Sequence, residues 1–551
     1  MSKHALFLLL APALTGCLGP SGGDGGAASR RSAAPPIAAA MPHPSAPGTA
    51  PMPTIAAGVP RGDDPATWPW LTRHPNPSCD LSEAGNAVYE AATRAAFDRD
   101  LVPGELVLTA RNMAGPSFLK SADRFAALAT LIAGAQHEVD LQWHELDVDS
   151  DAFDEVLGGL DRLYRRLQAA PVPAAPFVVR IVSPDWALRP GNDVEVIGAA
   201  VRGRLGAIDP RRLVLEVAAH RYLALATMHV KIGIVDGTYV HIGGGNLSNK
   251  QNYRLDPTPE RDSASIVKGM VAQSALAQFD QLWAMSETRI ERCEVAPCVA
   301  PAAGAPRGVH PPEVKSPDWA AVGIPADACL PMIFMAKRAS EDPLRSEVDQ
   351  PVGAGISAAF RHAHVELKLS SPNLNAEWRA PILDAVAAGV HVELLLPDGY
   401  NDLLERAPAL GGGGNRSTMA WMIDQAGAAN VGADDGRPLD PRWFSLDGVT
   451  MQTGGGATGG RHVKFYAVDS RLVIVGSTNL DKQSMDRSRE VALAVDDEAV
   501  ARWWTTTLFD GDFGRGIPMG GIELDGSVLN ADDLAEQYSA DQAMAYLDRL
   551  E

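Results

Sequence analysis

The feature that most constrains this chain is that it repeats itself. An apolar helix pattern at Phe125, Leu128 and Ile132 leads into the alternating segment Glu138-Val139-Asp140-Leu141-Gln142-Trp143, and Ile356 and Phe360 lead into His364-Val365-Glu366-Leu367-Lys368-Leu369. Each copy then has a second helix-like stretch and an apolar strand, 177–182 in one and 390–396 in the other. Each closes on an aromatic helix, with Phe279 and Trp283 in the first copy and Trp503, Trp504 and Phe509 in the second. Period-two segments alternating with helical ones predict an α/β sandwich in each copy. An internal duplication predicts that the two copies stack about a pseudo-two-fold.

Each copy also carries the same polar pattern. The first is His229-Val-Lys231-Ile-Gly-Ile-Val-Asp236, followed after six residues by Gly243-Gly244-Gly245-Asn246. The second is His462-Val-Lys464-Phe-Tyr-Ala-Val-Asp469, followed after six residues by Gly476-Ser477-Thr478-Asn479. Residues two apart on a strand share a face, so each His and its Lys point the same way. A cation beside each His and no ligand partners at metal spacing argue against a metal centre. The set suits an anionic phosphodiester instead. Lys231 and Lys464 supply charge, Asn246, Asn479 and Ser477 supply neutral donors, and glycines such as Gly244 let backbone N–H groups approach.

The doubled His-x-Lys-x4-Asp pattern with its downstream Gly-x-x-Asn resembles the HKD signature of the phospholipase D superfamily, over roughly residues 120–510. Gly244 departs from the Ser that many members have and that this chain has at Ser477. A Gly-Gly copy beside a Gly-Ser copy also occurs in secreted bacterial phospholipases D. The resemblance implies two α/β halves sharing one metal-free, cofactor-free active site. One His forms a phosphohistidine while the other protonates the leaving alkoxide. By resemblance the first-copy His229 attacks and His462 is the acid. Asp236 and Asp469 hold loops. Each His also needs a carboxylate on its far nitrogen, to fix the tautomer and favour the imidazolium. Asp262, 33 residues after His229, and Glu490, 28 after His462, sit at similar offsets; Glu490 ends a run like the family's Asn-x-Asp-x-Arg-Ser…Glu, with Gln483 at the Arg position. Trp143-His144-Glu145 is compatible both with a wall of the site and with an ordinary half-buried strand end. The arginines at 202–221 and the glycine clusters at 411–414 and 454–460 read as solvated surface and loop, with headgroup attraction and lids as the sharper alternatives.

The flanks point to export. A short basic start, an apolar stretch at 5–14 and Leu14-Thr15-Gly16-Cys17 resemble a bacterial lipobox, with Cys17 acylated and Leu18 after it favouring the outer membrane. The expected organisation is a signal peptide (1–17), a Pro/Ala/Gly tether (18–65), a first half (66–290), a connector (291–330), a second half (331–515) and a tail ending in a helix (516–551). Cys79, Cys293, Cys298 and Cys329 are an even set, suited to two disulfides of open connectivity. The net charge of -20 disfavours a nucleic-acid partner. The resulting expectation is a membrane-tethered phosphodiesterase or phosphatidyltransferase acting on phospholipid headgroups, of phospholipase D or cardiolipin synthase type. An exported nuclease and a catalytically silent envelope lipoprotein are the competing readings.

Overall fold

The computed structural model describes residues 81–98, 106–109, 114–185, 194–221, 227–248, 261–286, 330–339, 350–398, 413–427, 430–432, 437–451 and 460–519. The lipobox, the tether, all of the cysteines, almost all of the connector and the C-terminal helix expected at 531–551 lie outside them.

Along the chain the described strands are β1 (Leu106–Thr109), β2 (Ala114–Lys120), β3 (Glu138–Trp143), β4 (Phe177–Asp185), β5 (Leu213–Arg221), β6 (Lys231–Val235), β7 (Tyr239–Gly243) and β8 (Ser263–Lys268). They continue as β9 (Met332–Lys337), β10 (Glu366–Ser370), β11 (His391–Leu396), β12 (Leu439–Trp443), β13 (Phe465–Val468), β14 (Leu472–Gly476), β15 (Glu490–Asp496) and β16 (Ile517–Pro518). One sheet has the order β2-β8-β7-β6-β3-β4-β5. The other contains β9-β15-β14-β13-β10-β11-β12 in the matching order, with β1 and β16 added at its edges. In both, three strands run parallel and are joined by crossover helices. In the first these are Asp151–Ala169 and Val194–Leu205; in the second, Arg379–Ala387 and Asn415–Ala426. The duplication read from the sequence is therefore a duplication of topology.

The additions redraw the expected boundaries. The helix Glu83–Asp98, within the segment assigned to the first half, packs Val88, Tyr89 and Ala92 into the outer core of the second, against Ile356 and Phe360. Strand β1 pairs with β9, and β16, just past residue 515, pairs with β12. Both cover edges that would otherwise present unpaired backbone.

Three apolar layers result. The outer face of the first sheet packs on helices Ser121–Gly134, Asp151–Ala169 and Val194–Leu205. The two inner faces share one core, in which Ile232, Ile234, Val240 and Ile242 meet Phe465, Val473, Val475 and Leu493, with helices Met270–Met285 and Glu498–Thr505 alongside. Each such side chain contributes about 1.5–3 kcal/mol on burial. A core shared this widely joins the halves as one unit.

A charge pattern repeats too, with the signs exchanged. Asp140 on β3 faces Arg180 on β4, and Arg180 Nη1 reaches Asp280 at 2.7 Å. At the matching register, Lys368 on β10 faces Glu393 on β11 and lies 3.3 Å from Asp510. Each cation sits over a helix aromatic, Arg180 over Phe279 and Lys368 over Phe509.

Candidate active site

Each His-x-Lys segment enters its sheet at β6 or β13, and the residues just before the strand cross to the other half. His229 N–H donates to Arg489 O at 2.9 Å, and Arg489 N–H to Thr227 O at 2.7 Å. Reciprocally, His462 N–H donates to Arg261 O at 2.8 Å, and Arg261 N–H to Gly460 O at 2.7 Å. Two short parallel bridges, Met228 with Arg489 and Arg261 with Arg461, thus tie each histidine to the segment preceding the other half's carboxylate.

The crossing decides the partners. His229 Nδ1 lies 2.9 Å from Glu490 Oε1, and His462 Nδ1 lies 2.6 Å from Asp262 Oδ2. The sequence picked out both carboxylates, but by counting downstream from the histidine of the same copy. The structure exchanges them, because β8 and β15 each begin at the seam where the other half's His segment is paired. With Nδ1 turned to a carboxylate, Nε2 is the ring nitrogen that points away from it.

Lys231 and Lys464 are fully buried and fold back on their own histidines' carbonyls, at 2.6 and 2.7 Å. Lys464 Nζ also lies 2.8 Å from His462 Nε2. Burial, then repulsion from Lys464, pushes the Lys231 ammonium well below its ordinary range. Burial, then the nearby lysines, also holds His229 well below 6.5 and brings His462 to about 4. The carboxylates were expected to favour the imidazolium; desolvation and the lysines outweigh them. Burial raises Glu490 above 4.5, against the opposing pull of Lys231 and Ser477. A dry pair of like-charged ammonium groups beside two neutral imidazoles is an environment that an anion stabilises.

Asp236 and Asp469 face away from this chemistry. Asp236 accepts from the backbone N–H groups of Gln136, His137 and Glu138, and Asp469 from those of His364, Val365 and Glu366. Both adopt left-handed backbone, φ 54° and 53°, which Asp tolerates. They pin the turn entering β3 and β10, the loop-holding role the resemblance implied. Asn246 and Asn479 are nearly buried, and each donates its amide to a carboxylate, Glu145 at 2.8 Å and Asp481 at 3.0 Å.

Ser477, expected as a phosphate donor, is placed otherwise. Its fully buried hydroxyl donates to Glu490 Oε2 and accepts from Val491 N–H at 3.0 Å. It holds the carboxylate that holds His229. At the matching Gly244, a Cβ would stand 2.4 Å from Asp262 Oδ1 and 3.1 Å from Lys464 Cδ. The glycine there makes room for Asp262 rather than for a phosphate.

Several residues were not found from the sequence. Arg261 and Arg461, which precede Asp262 and His462, both grip Asp512. Arg489 precedes Glu490 and donates to Gln278 O at 3.0 Å. The repeated Arg-acid dipeptide, Arg261-Asp262 and Arg489-Glu490, was the available signal. His144 and Glu145 do reach the site, His144 against the His229 ring and Glu145 on Asn246. Arg204, Arg211 and Arg212 pair with Asp154 and Asp209 rather than with the site; of the glycine clusters, Gly460 takes part in the seam and most of the rest lies outside the described residues. Among the described residues no cluster of His, Cys, Asp or Glu is arranged to hold a metal ion, and no helix is long and apolar enough to cross a membrane.

Residues 356–510 match the family model described as cardiolipin synthase, PLD-like domain. The fold resembles phosphatidylserine synthase from Haemophilus influenzae Rd KW20, at TM-score 0.50 and 14% identity, covering 83% of this chain and 98% of that one. Weaker likenesses are polyphosphate kinase from Porphyromonas gingivalis (TM-score 0.37, 10% identity, 70% of this chain and 49% of that one) and Nuc, a phospholipase D family member from Salmonella typhimurium (TM-score 0.23, 16% identity, 32% of this chain and 100% of that one). No curated protein matches the sequence. The second half thus matches a PLD-like family model, and the first half repeats the same strand topology around its own His-x-Lys segment.

Proposed function

We propose that this protein is a phosphodiesterase or phosphatidyltransferase that works on phospholipid headgroups through a phosphohistidine. The observation that carries the reading is the crossed pair, His229 on Glu490 and His462 on Asp262, around two buried lysines. In the first step the His229 Nε2 lone pair forms a bond to phosphorus and the P–O bond to the leaving alcohol breaks. His462 Nε2–H gives its proton to the departing oxygen. In the second step a water or alcohol oxygen attacks phosphorus, its proton passes to His462, and the P–N bond breaks. Burial keeps His229 neutral, as a nucleophile must be. The bound phosphodiester brings negative charge against Lys231 and Lys464, which raises the proton affinity of His462 and loads the acid. Asn246 and Asn479 flank the phosphate, each oriented by its carboxylate.

The lipid assignment is supported by the family-model description and by the name of the Haemophilus neighbour. The Leu14-Thr15-Gly16-Cys17 segment supports an acylated anchor that would keep the enzyme on a phospholipid surface, at the outer membrane. The test is lipid-product analysis by mass spectrometry. The purified protein is given phosphatidylglycerol and phosphatidylethanolamine vesicles, with and without added glycerol. The wild type should release or exchange headgroups, and His229→Ala and His462→Ala should each lose about 10⁴-fold or more in turnover. Unchanged lipids with the wild type would refute the substrate class. Near-normal turnover in either variant would refute the shared site.

A further inference from the structure

We propose that His144 is a positioning residue for the nucleophile: a third histidine that locks the His229 segment in the first half and stands where the second half has Pro372. This rests on the phosphohistidine reading above and refines it.

His144 directly follows β3. Its Nδ1 lies 2.9 Å from the carbonyl of Met228 and 3.3 Å from Thr227 Oγ1. A carbonyl only accepts, so Nδ1 carries the proton and donates. The imidazole also meets the His229 ring edge-on, with centroids 4.9 Å apart and planes at 70°. One side chain therefore holds both the backbone entering His229 and the ring itself. Met228 is the residue bridged to Arg489, and Thr227 O accepts the Arg489 N–H. The clamp thus acts on the strand pair that delivers Glu490 to His229.

The second half is built differently at this point. Gln142 faces Ile232 in the first sheet as Ser370 faces Phe465 in the second, and the bridges Leu146 to Leu247 and Leu374 to Leu480 fix the same offset. His144 therefore corresponds to Pro372, which has neither an imidazole nor an N–H. The strand entering His462 is held by Arg461 instead, through Ser370 Oγ at 2.7 Å, Leu508 O and Asp512. The ring-on-ring contact made by His144 is to His229. A lone pair that must meet phosphorus in line tolerates less displacement than a proton donor does, and misplacement by about 1 Å costs about 10²-fold.

The test uses the full chain, bis-p-nitrophenyl phosphate as probe, and single-turnover kinetics quenched in alkali, where a phosphohistidine survives. We expect His144→Ala to slow adduct formation about 100-fold with KM changed less than about threefold. Breakdown of adduct once formed should proceed at the wild-type rate. His144→Asn places Nδ2–H where Nδ1–H was and should recover at least about tenfold. A merely structural role would lower the melting temperature and KM-linked terms without this split. Adduct formation at the wild-type rate in His144→Ala would overturn the proposal. So would a His144→Asn variant that melts normally yet is no better than Ala. Should His144→Ala fail to fold, His144→Phe keeps a ring and loses the donor; a wild-type adduct rate there overturns the proposal and a loss near 100-fold supports it. A wild-type enzyme that forms no adduct would instead refute the phosphohistidine reading itself.

Discussion

In the first half an aspartate stands against a glycine; in the second a glutamate is caught by a serine. Asp262 occupies the space that a side chain at Gly244 would need, whereas the longer Glu490 is held by the Ser477 hydroxyl. Because the pairs cross, the Gly244–Asp262 side serves His462 and the Ser477–Glu490 side serves His229. Two equivalent positions differ together between the copies, so the carboxylate reaches an imidazole by two routes. Gene-level symmetry has been kept in the strand order and relaxed in the shell around each histidine. In the proposed mechanism that relaxation separates the roles of the two histidines, one attacking phosphorus and the other carrying a proton.

The largest effects should come from the carboxylates. Glu490→Gln should lower turnover about 10³-fold or more, because Nδ1 of His229 then loses its tautomer control. Ser477→Ala, which leaves Glu490 in place, should cost only about tenfold; steady-state turnover on phospholipid vesicles compares the two, and equal losses would mean that Ser477 touches substrate directly. Next comes Gly244→Ser, which forces the second-half solution onto the first. Its side chain collides with Asp262, and turnover should fall about 10²-fold; the double variant with Asp262→Glu should recover part of this, as contacting sites couple. Simple additivity in that cycle would break the paired-substitution account.

The pH profile is a gentler probe. Both histidines are depressed, so the acid limb of kcat/KM should fall below 6.5, and the depressed Lys231 should bring the basic limb below 10.5. The stability sign follows from the same shifts. An unfolded histidine binds a proton near 6.5 and a folded one resists it, so stability present above 6.5 is lost as pH falls through about 4. A melting temperature that stays flat between those values would contradict the burial. Smallest are the exchanged charge triads. Arg180→Met strands the fully buried Asp140, whose carboxyl burial already lifts to about 7, and should cost about 2–3 kcal/mol. Lys368→Met, facing the less buried Glu393, should cost about 1 kcal/mol. Denaturant melts measure both.

Much of this was legible in the sequence because it is local. The His-x-Lys spacing at the start of β6 and β13 and the repeated strand order follow from patterns a few residues long, and the loop-holding Asp236 and Asp469 from the family resemblance. The two histidine-bearing carboxylates were found, yet their exchange was not, since counting along one copy carries no sign of the bridges at Met228 and Arg461 that cross the seam. Ser477 and Gly244 were assigned to phosphate for the same reason: their partners, Glu490 at the start of β15 and Asp262 just before β8, are distant in the sequence. The helix Glu83–Asp98 illustrates the point on a larger scale, since it lies in the segment assigned to the first half yet packs on the second.

The central claim, one site built across the seam, is tested most directly by mapping the covalent adduct under turnover. Alkali-quenched wild-type protein, digested and sequenced by mass spectrometry, should carry phosphate-linked product on His229. The adduct should vanish in Glu490→Gln, a change 261 positions away in the opposite half. An adduct on His462, or one that persists on His229 at the wild-type level in Glu490→Gln, would contradict the account.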